Sequence, residues 1–348
     1  MHVPHLFAAA GLAWAWSEFS RQRYGVEPAA DEVHRVQTDD GWRLALHRYR
    51  AEGSERLQHP LLLVPGLACN RVAYDLDPQR SLARWLAARG VDVWVVELRA
   101  HGRSQRPRWG TTQRYGFSFD AHAIHDLPAA IAGVLARTGA SGLHALGHSL
   151  GGMLLYALLS RGESRLVSAT AVASALDHSS APSDFRRLLG AAPLIELLPA
   201  TPIGAALRMA APLGGRLPSN RLEEFNLWPP NVEPELTRRL HASAFHPVST
   251  PVLLQLATAF QPGGLRHADG ETPYLPPLAQ SRTPFLALAG TRDRQCSPEA
   301  AETTLRALGS RRRRLETLDD YGHFDLLIGR RAADEVFPKL LSWWIEND

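Results

Sequence analysis

The chain has few cysteines and little net charge, and each shortage excludes a class of protein. Two cysteines among 348 residues, Cys69 and Cys296, are too few for a disulfide framework. We expect two free thiols that serve as small apolar fillers, with one incidental bridge as the alternative. The 38 basic and 35 acidic residues leave a net charge of +3, which gives no sign of a nucleic-acid surface. The length and the 45% hydrophobic content suit one large domain with an insertion, or two domains.

The N-terminal apolar run, Leu6–Trp16, is too short to cross a bilayer, because a spanning helix needs about 20 apolar residues. Met1–His5 contain no Lys or Arg, and no small-residue cleavage site follows cleanly, which disfavours a secretory signal. Trp14, Trp16 and Phe19 predict a helix that packs on the domain or lies at a membrane surface. We expect a cytoplasmic protein, with a periplasmic, secreted or membrane-associated one as alternatives.

A hairpin is predicted after this run. Val33–Gln37 and Trp42–Tyr49 are joined by Thr38-Asp39-Asp40-Gly41, in which Asp-Gly supplies the positive φ angles of a tight turn. Along the second strand, apolar residues at even positions such as Leu44 and Leu46 alternate with less apolar ones. This alternation predicts a half-exposed antiparallel strand.

From Pro60 onward, short apolar runs alternate with helical patterns. The runs do not alternate in polarity, so both faces of these strands should be covered. The predicted strands are Leu61–Val64, Val91–Glu97, Leu143–Leu146, Val167–Ala173, Phe285–Ala289 and Arg314–Leu318. The predicted helices are Ser81–Arg89, Asp120–Arg137, Met153–Leu159, Pro298–Leu308 and Ala332–Ile345. We predict an α/β fold with a mainly parallel eight-stranded sheet and helices on both faces.

The stretch between the Val167 and Phe285 strands has another composition. Residues 178–280 contain 15 of the 25 prolines and short Leu/Ala-rich runs such as Leu188–Leu198 and Leu253–Phe260. These features predict short helices broken by proline, which form a cap inserted into the α/β domain. We divide the chain into an N-terminal apolar helix or extension (1–30), a first core part (31–177), the helical cap (178–280) and a second core part (281–348).

The sequence Gly147-His148-Ser149-Leu150-Gly151-Gly152 stands between a short apolar run and a buried helical pattern. Strand, G-x-S-x-G and helix are the context of a nucleophile elbow, whose sharp turn exposes the serine Oγ. The helix that follows directs its N–H groups and positive dipole end toward the same place. We predict that Ser149 is a nucleophile; the alternative is a glycine-rich turn with an idle serine.

A serine nucleophile needs a base and a group that orients the base, and in elbow proteins the order is Ser, acid, His. His323 follows the last predicted strand, at the carboxyl edge of the sheet, and is the predicted base. Asp293 follows the Phe285–Ala289 strand and is the preferred acid. Asp177, just after the Val167–Ala173 strand, is its rival.

The oxyanion of an acyl-transfer reaction needs two N–H donors. We assign them to Leu150, which follows the serine, and to Leu67, in the loop after the Leu61–Val64 strand; the alternative for Leu67 is an ordinary βα turn. His122 and His125 lie three apart on one predicted helix, but no third ligand lies nearby in sequence and no H-E-x-x-H is present. We therefore predict no metal and no cofactor.

Together these residues resemble the α/β-hydrolase superfamily and, within it, the acid lipase family, which includes gastric and lysosomal lipases. The resemblance rests on the 38–41 turn, Pro65-Gly66-Leu67, Gly90–Trp94, Phe117–Asp120 with the elbow, and His323-Phe324-Asp325. It covers residues from about 35 to 175 and 283 to 345, and leaves the cap unmatched.

Within the matching Pro65-Gly66-Leu67, Pro65 stands where the family has His. Three departures narrow what the resemblance implies. Leu150 stands where the family usually has Gln, and no convincing secretion signal is present. Val96–Ser104 is more similar to bacterial esterases, and a weaker similarity to polyhydroxyalkanoate synthases fails at Ser149, where those enzymes have Cys. The resemblance therefore implies the fold and ester hydrolysis, but not triglyceride as the substrate.

The sequence thus predicts a serine carboxylic-ester hydrolase of the esterase or lipase type, with Ser149, Asp293 and His323 as its triad. The expected partner is a small-molecule ester with an apolar, medium-length acyl group. A thioesterase, lactonase or acyltransferase with the same triad, and a non-catalytic ligand-binding relative, are the alternatives. The cap residues expected to pack on the domain or line the acyl pocket are Leu188, Leu189, Leu194, Ile195, Leu197, Leu198, Leu253, Leu254, Leu256 and Phe260.

Overall fold

An eight-stranded sheet runs through the protein in a computed structural model that describes residues 3–54, 56–189, 196–216 and 221–348. Its strands are β1 (Glu32–Gln37), β2 (Arg43–Tyr49), β3 (Leu61–Val64), β4 (Val93–Glu97), β5 (Leu143–His148), β6 (Leu166–Val172), β9 (Phe285–Gly290) and β10 (Arg313–Leu318). Their order is β1-β2-β4-β3-β5-β6-β9-β10. The β1–β2 and β2–β4 pairs are antiparallel and the other neighbours are parallel. The predicted mainly parallel sheet of eight strands is confirmed.

Helices cover this sheet and form the C-terminal end of the chain. They are α2 (Leu82–Ala87), α3 (Phe119–Ala121), α4 (Leu127–Thr138), α5 (Leu150–Ser160), α11 (Pro298–Arg306), α12 (Asp325–Ile328), α13 (Ala332–Glu335) and α14 (Phe337–Glu346). The predicted helix 120–137 is interrupted by one π turn, His122–Asp126. Pro128 follows within the first turn of α4 and has no N–H to donate, which explains a widened turn at this point.

The prediction of a half-exposed β2 was wrong, because the structure buries every side chain from Leu44 to His47. Strand β2 lies between β1 and β4. On one face Leu46 packs against α4, where Gly133 leaves it room. On the other face His47 Nε2 bonds Glu97 Oε2 at 2.9 Å. A buried polar side chain is tolerated when it is paired in this way, so the polarity pattern did not report exposure.

The cap lies between β6 and β9. Its described elements are α6 (Asp184–Leu189), β7 (Ala200–Thr201), α7 (Ile203–Ala210), α8 (Arg221–Asn226), α9 (Pro234–Ser243), β8 (Val248–Ser249), α10 (Thr250–Ala257) and short 3-10 turns at Ala211–Leu213, Pro229–Asn231, Thr258–Phe260 and Pro276–Gln280. The N-terminal helix, α1 (Val3–Tyr24), packs against α7 and α9 of this cap. Residues 190–195 of the predicted 188–198 run lie outside the described residues.

Candidate active site

The turn between β5 and α5 holds Ser149 in a strained conformation, with φ 52° and ψ −119°. A positive φ in a residue other than glycine costs free energy and is typical of functional turns. A Cβ on Gly147 would lie 2.2 Å from the Gly151 carbonyl carbon, and one on Gly151 would lie 2.1 Å from Val64 O. Both positions therefore require glycine, and the turn has the geometry of a nucleophile elbow.

His323 and Asp293 form a buried pair beside this turn. His323 Nδ1 lies 2.8 Å from Asp293 Oδ2. Asp293 Oδ1 accepts the N–H groups of Gln295 at 2.7 Å and Cys296 at 3.0 Å, which fixes the orientation of the carboxylate. Because Nδ1 is occupied, Nε2 is the ring nitrogen left for the cavity that Ser149 and His323 both line.

The rival acid, Asp177, is engaged elsewhere. Its Oδ1 accepts the N–H of Ser179 at 2.8 Å, and its own N–H donates to Thr304 Oγ1 at 3.2 Å. The structure thus brings Asp293, and not Asp177, to the imidazole of His323.

The two assigned oxyanion donors lie on either side of Ser149. Leu150 is the first residue of α5, where backbone N–H groups lack a partner within the helix. Leu67 lines the same cavity as Ser149. The adjacent Gly66 is so close that a Cβ there would lie 3.2 Å from Ser149 Cβ. The next residue, Ala68, has a φ of 64°, so this loop is also strained.

Residues 244–246 of the cap pair with residues 68–70, which belong to the same loop as Leu67 and are called here the oxyanion loop. Cys69 and Phe245 form an antiparallel bridge. The N–H of Asn70 donates to Ala244 O at 2.9 Å, and the N–H of His246 donates to Ala68 O at 2.8 Å. The predictions gave this segment no role, and no local pattern in the sequence signals the pairing.

His148, the residue before Ser149, contacts His323, the predicted base. Its Nε2 donates to the backbone O of His323 at 3.0 Å, and the two rings lie 4.7 Å apart. Burial lowers the pKa of His148 well below its usual value, so the ring is neutral. The phenol of Tyr74 donates to Val64 O at 2.7 Å and accepts the His148 N–H at 3.2 Å.

The loop that carries His323 is also tied to the cap. Asp325 accepts N–H groups from Gly322 at 2.8 Å and Trp228 at 3.2 Å, and the side-chain amide of Asn231 at 3.1 Å. Burial raises the pKa of Asp325 to about 6 despite these donors. The position of the imidazole therefore depends on the cap as well as on the sheet.

A cavity of about 990 Å³ extends from Ser149 into the cap. Its apolar lining includes Phe185, Ile203, Ala206, Leu207, Phe225, Phe245 and Phe324. Charged residues line its solvent end: Asp184, Arg187, Arg221 and Arg294. The Arg187 side chain is 83% exposed and is paired with Asp184 at 3.1 Å, and that of Arg294 is paired with Glu224 at 2.9 Å.

The predicted cap lining was only partly right. Leu197 is 83% exposed and Leu198 is 48% exposed, so neither packs on the domain. Leu253 is buried in the core, and Leu256 lines a second cavity of about 50 Å³ beside Ser149. Leu194 and Ile195 lie outside the described residues, as do the side chains of Leu188 and Leu189.

The cysteines and histidines singled out in the sequence have separate surroundings. Cys69 and Cys296 are both free and buried. His122 Nδ1 bonds Asp126 at 2.7 Å, whereas His125 Nδ1 bonds Asp39 at 2.5 Å, so the two rings do not share a ligand position. In the described part of the chain, ligand atoms come together at two places away from the elbow: His59, His144 and Asp348, and Asp39, Asp40 and His125.

The sequence model of the alpha/beta hydrolase fold family matches residues 59–329 of the chain. The chain belongs to this family. Lipase 1 of Drosophila melanogaster is 36% identical over 133 residues, which are 37% of this chain and 29% of that protein. Human gastric triacylglycerol lipase is 32% identical over 129 residues, 35% of this chain and 32% of the lipase. The match thus spans about a third of the length of these relatives.

Solved structures extend the likeness of this alpha/beta hydrolase to nearly the whole chain. A bacterial membrane phospholipase A gives a TM-score of 0.58 at 19% identity, over 98% of this chain and 94% of that one. A soluble variant of monoglyceride lipase from Saccharomyces cerevisiae gives 0.62 at 14% identity, over 93% and 98%. At such identities these matches show the fold alone.

Proposed function

We propose that the protein is a serine carboxylic-ester hydrolase that uses Ser149, His323 and Asp293 as a catalytic triad. The observation that carries the proposal is the 2.8 Å His323–Asp293 pair beside a strained serine in one cavity. The names of the relatives, which are lipases, support the same reaction class.

In this mechanism Ser149 Oγ attacks the ester carbonyl carbon while His323 Nε2 takes the hydroxyl proton. The Asp293 carboxylate accepts a hydrogen bond from the Nδ1–H of His323 and stabilises the imidazolium. The N–H groups of Leu67 and Leu150 bind the oxyanion of the tetrahedral intermediate. His323 then gives its proton to the leaving alkoxide, and a water activated by the same imidazole hydrolyses the acyl-enzyme.

The acyl group of the substrate occupies the cavity under the cap. Its aromatic and aliphatic lining favours a hydrocarbon chain, and each methylene it buries contributes about 0.8 kcal/mol, close to fourfold in binding. We expect kcat/KM to rise with chain length until the cavity is filled, with an optimum of about four to ten carbons.

Replacement of the nucleophile tests the reaction. Ser149→Ala should lower kcat on a p-nitrophenyl ester by on the order of 10⁴ or more and abolish labelling by a fluorophosphonate. Ser174→Ala is the matched control, because Ser174 lines the 50 Å³ cavity with Ser149 but is outside the triad. Labelling of another serine would refute the assignment, and labelling without turnover would favour an acyltransferase or a binding protein.

A second pair of variants tests the acyl site. Ala205 and Ala206 are neighbours on α7 and both are exposed, but Ala206 lines the large cavity and Ala205 does not. Ala206→Phe should shift the optimum of a p-nitrophenyl series, acetate to palmitate, toward shorter chains, and Ala205→Phe should leave it unchanged. An acetate optimum in the unaltered protein would show that the cap fills the site.

A further inference from the structure

The two halves of α1 have opposite surroundings. The C-terminal half is fixed to the cap, where Ser20 and Tyr24 are buried and Tyr24 packs against Ala211 and Ala242. Of the N-terminal half, the described side chains between 11 and 16 are exposed on every side of the helix: Gly11, Ala13, Trp14, Ala15 and Trp16. A helix that is apolar all round normally lies in a protein core or in lipid.

The exposed apolar surface continues from α1 onto the cap. Of the ten large apolar side chains exposed in the described part of the chain, seven belong to these two elements: Trp14, Trp16, Phe19, Leu197, Leu198, Met209 and Leu213. The indole N–H of Trp16 donates to Met209 O at 2.9 Å and thereby holds α1 against α7. An exposed apolar surface of this kind is typical of an interaction site.

The residue order along α1 matches the layers of a bilayer surface. Residues 3–17 contain no Asp, Glu, Lys or Arg, and the charged residues begin at Glu18, Arg21 and Arg23. Trp14 and Trp16 stand between these zones, and tryptophan is enriched at the boundary of hydrocarbon and headgroups. Residues 3–13 of the helix span about 16 Å, half of a hydrocarbon core of about 30 Å. In the described residues, no helix is long and apolar enough to span a membrane.

The charges beside this surface have the sign that attracts anionic headgroups. Arg21 is 57% exposed at its side chain. Burial, together with the nearby guanidiniums of Arg21 and Arg106, lowers the pKa of Arg208. Glu18 is paired with Arg21, and Glu27, which is paired with Arg103, is also close to Arg21. Three guanidiniums close to one another favour a negatively charged surface.

We propose that the N-terminal half of α1 inserts into one leaflet of an anionic lipid bilayer and holds the cap at the membrane surface. The same helix of the cap, α7, contacts α1 through Met209 and lines the large cavity through Ile203, Ala206 and Leu207. Insertion therefore brings the cavity lining close to the lipid. The anchoring is independent of the proposed reaction.

Vesicle sedimentation tests this anchor. The full chain is mixed with sucrose-loaded vesicles of phosphatidylcholine and phosphatidylglycerol (7:3), and with vesicles of phosphatidylcholine alone. We expect the protein to sediment with the anionic vesicles and to bind the neutral ones, or the anionic ones in 0.5 M salt, more weakly.

The double variant Trp14→Ser/Phe19→Ser should weaken partitioning by at least about tenfold, because each ring removes on the order of 100 Å² of apolar surface from water on insertion. Ile345→Ser is the control, since Ile345 is 42% exposed and lies on α14, outside the proposed surface. Ser149→Ala should bind vesicles like the unaltered protein. The double variant should keep the unaltered activity on a water-soluble ester, which separates this proposal from that of the reaction.

Three results would overturn the proposal. One is an unaltered protein that stays in the supernatant with anionic vesicles. Another is a double variant that sediments as well as the unaltered protein. The third is a lipid-free dimer in light scattering that the double variant dissociates, without vesicle binding, which would assign the surface to a second copy of the chain.

Discussion

Five histidines, four of them buried and one, His246, half-buried, should make the stability of the protein fall steeply in acid. Burial is the main cause that lowers the pKa of each: to about 3 for His101, to about 4 for His178, His241 and His246, and well below the usual range for His148. All five are therefore neutral in the folded protein at pH 5 and above. In the unfolded chain, the same side chains titrate near pH 6.5.

The sign and size of the effect follow from this difference. Between pH 6.5 and the folded pKa, the unfolded chain binds more protons, so the free energy of unfolding falls as the pH falls. At pH 5 each of the four histidines with a pKa of about 3 or 4 contributes a loss of about 2 kcal/mol relative to pH 7, together about 8 kcal/mol, and His148 adds to the loss in the same direction. This loss is comparable to the whole stability of a typical domain, about 5–15 kcal/mol.

One carboxylate acts in the opposite direction. The folded pKa of Asp325, about 6, is above its unfolded value. Protonation of this carboxylate therefore stabilises the folded state relative to the unfolded chain, and the stabilisation grows as the pH falls from 7 to 5. It offsets the histidines by about 1 kcal/mol over this interval. Stability should therefore be full near pH 7–8, and unfolding should occur between about pH 6 and 4.

Urea unfolding followed by circular dichroism at pH 5 to 8 measures this dependence. His241→Leu isolates one group, because His241 is 2% exposed and neither ring nitrogen has a hydrogen-bond partner among the described residues. We expect this variant to be more stable and to lose about 2 kcal/mol less between pH 7 and 5. His125→Gln, at a partly exposed site, is the control. Stability that is constant or rises toward pH 5 would refute the reasoning.

Three further changes test the site. Asp293→Asn should lower kcat by about 10⁴ by favouring the wrong imidazole tautomer, and Asp177→Asn should leave it within a few-fold; the reverse result would move the acid to β6. Gly151→Ala should prevent normal folding, because its Cβ would lie 2.1 Å from Val64 O, and a normal thermal melt would contradict the elbow geometry. Tyr74→Phe should cost about 1–3 kcal/mol in urea unfolding, because two buried backbone groups lose their partner, and an unchanged midpoint would show that they are satisfied otherwise.

The elements that could be predicted from the sequence are those that a local pattern determines. The strained turn at Ser149 could be predicted because strand, glycine turn and helix are adjacent in the chain, and the place of His323 at the sheet edge because it follows the last strand. Asp293 and Asp177 both follow parallel strands, so sequence order alone could not decide between them. What distinguishes them is the 2.8 Å contact of Asp293 with His323, which joins residues thirty positions apart.

Contacts between segments that are distant in the sequence could not be predicted from it. The pairing of 68–70 with 244–246 joins two stretches that have no strand pattern of their own. His148 is part of the elbow sequence, yet its bond to the His323 carbonyl depends on two loops that meet only in the fold. The cap was recognised from its prolines, but the residues that line the cavity were not, because several of its leucines are buried in the core or exposed.

The pairing between the cap and the oxyanion loop limits how substrates can be exchanged. If the cap swung open as a rigid door, segment 244–246 would pull residues 68–70 with it and displace the N–H of Leu67. In the proposed mechanism the open form would then be inactive, because the oxyanion would lack the N–H of Leu67. Each closure of the cap would have to return this loop to its position. Passage through the arginine-lined end of the cavity avoids this rearrangement, so in the proposed mechanism a molecule can enter and leave while Ser149, His323 and the N–H of Leu67 keep their positions.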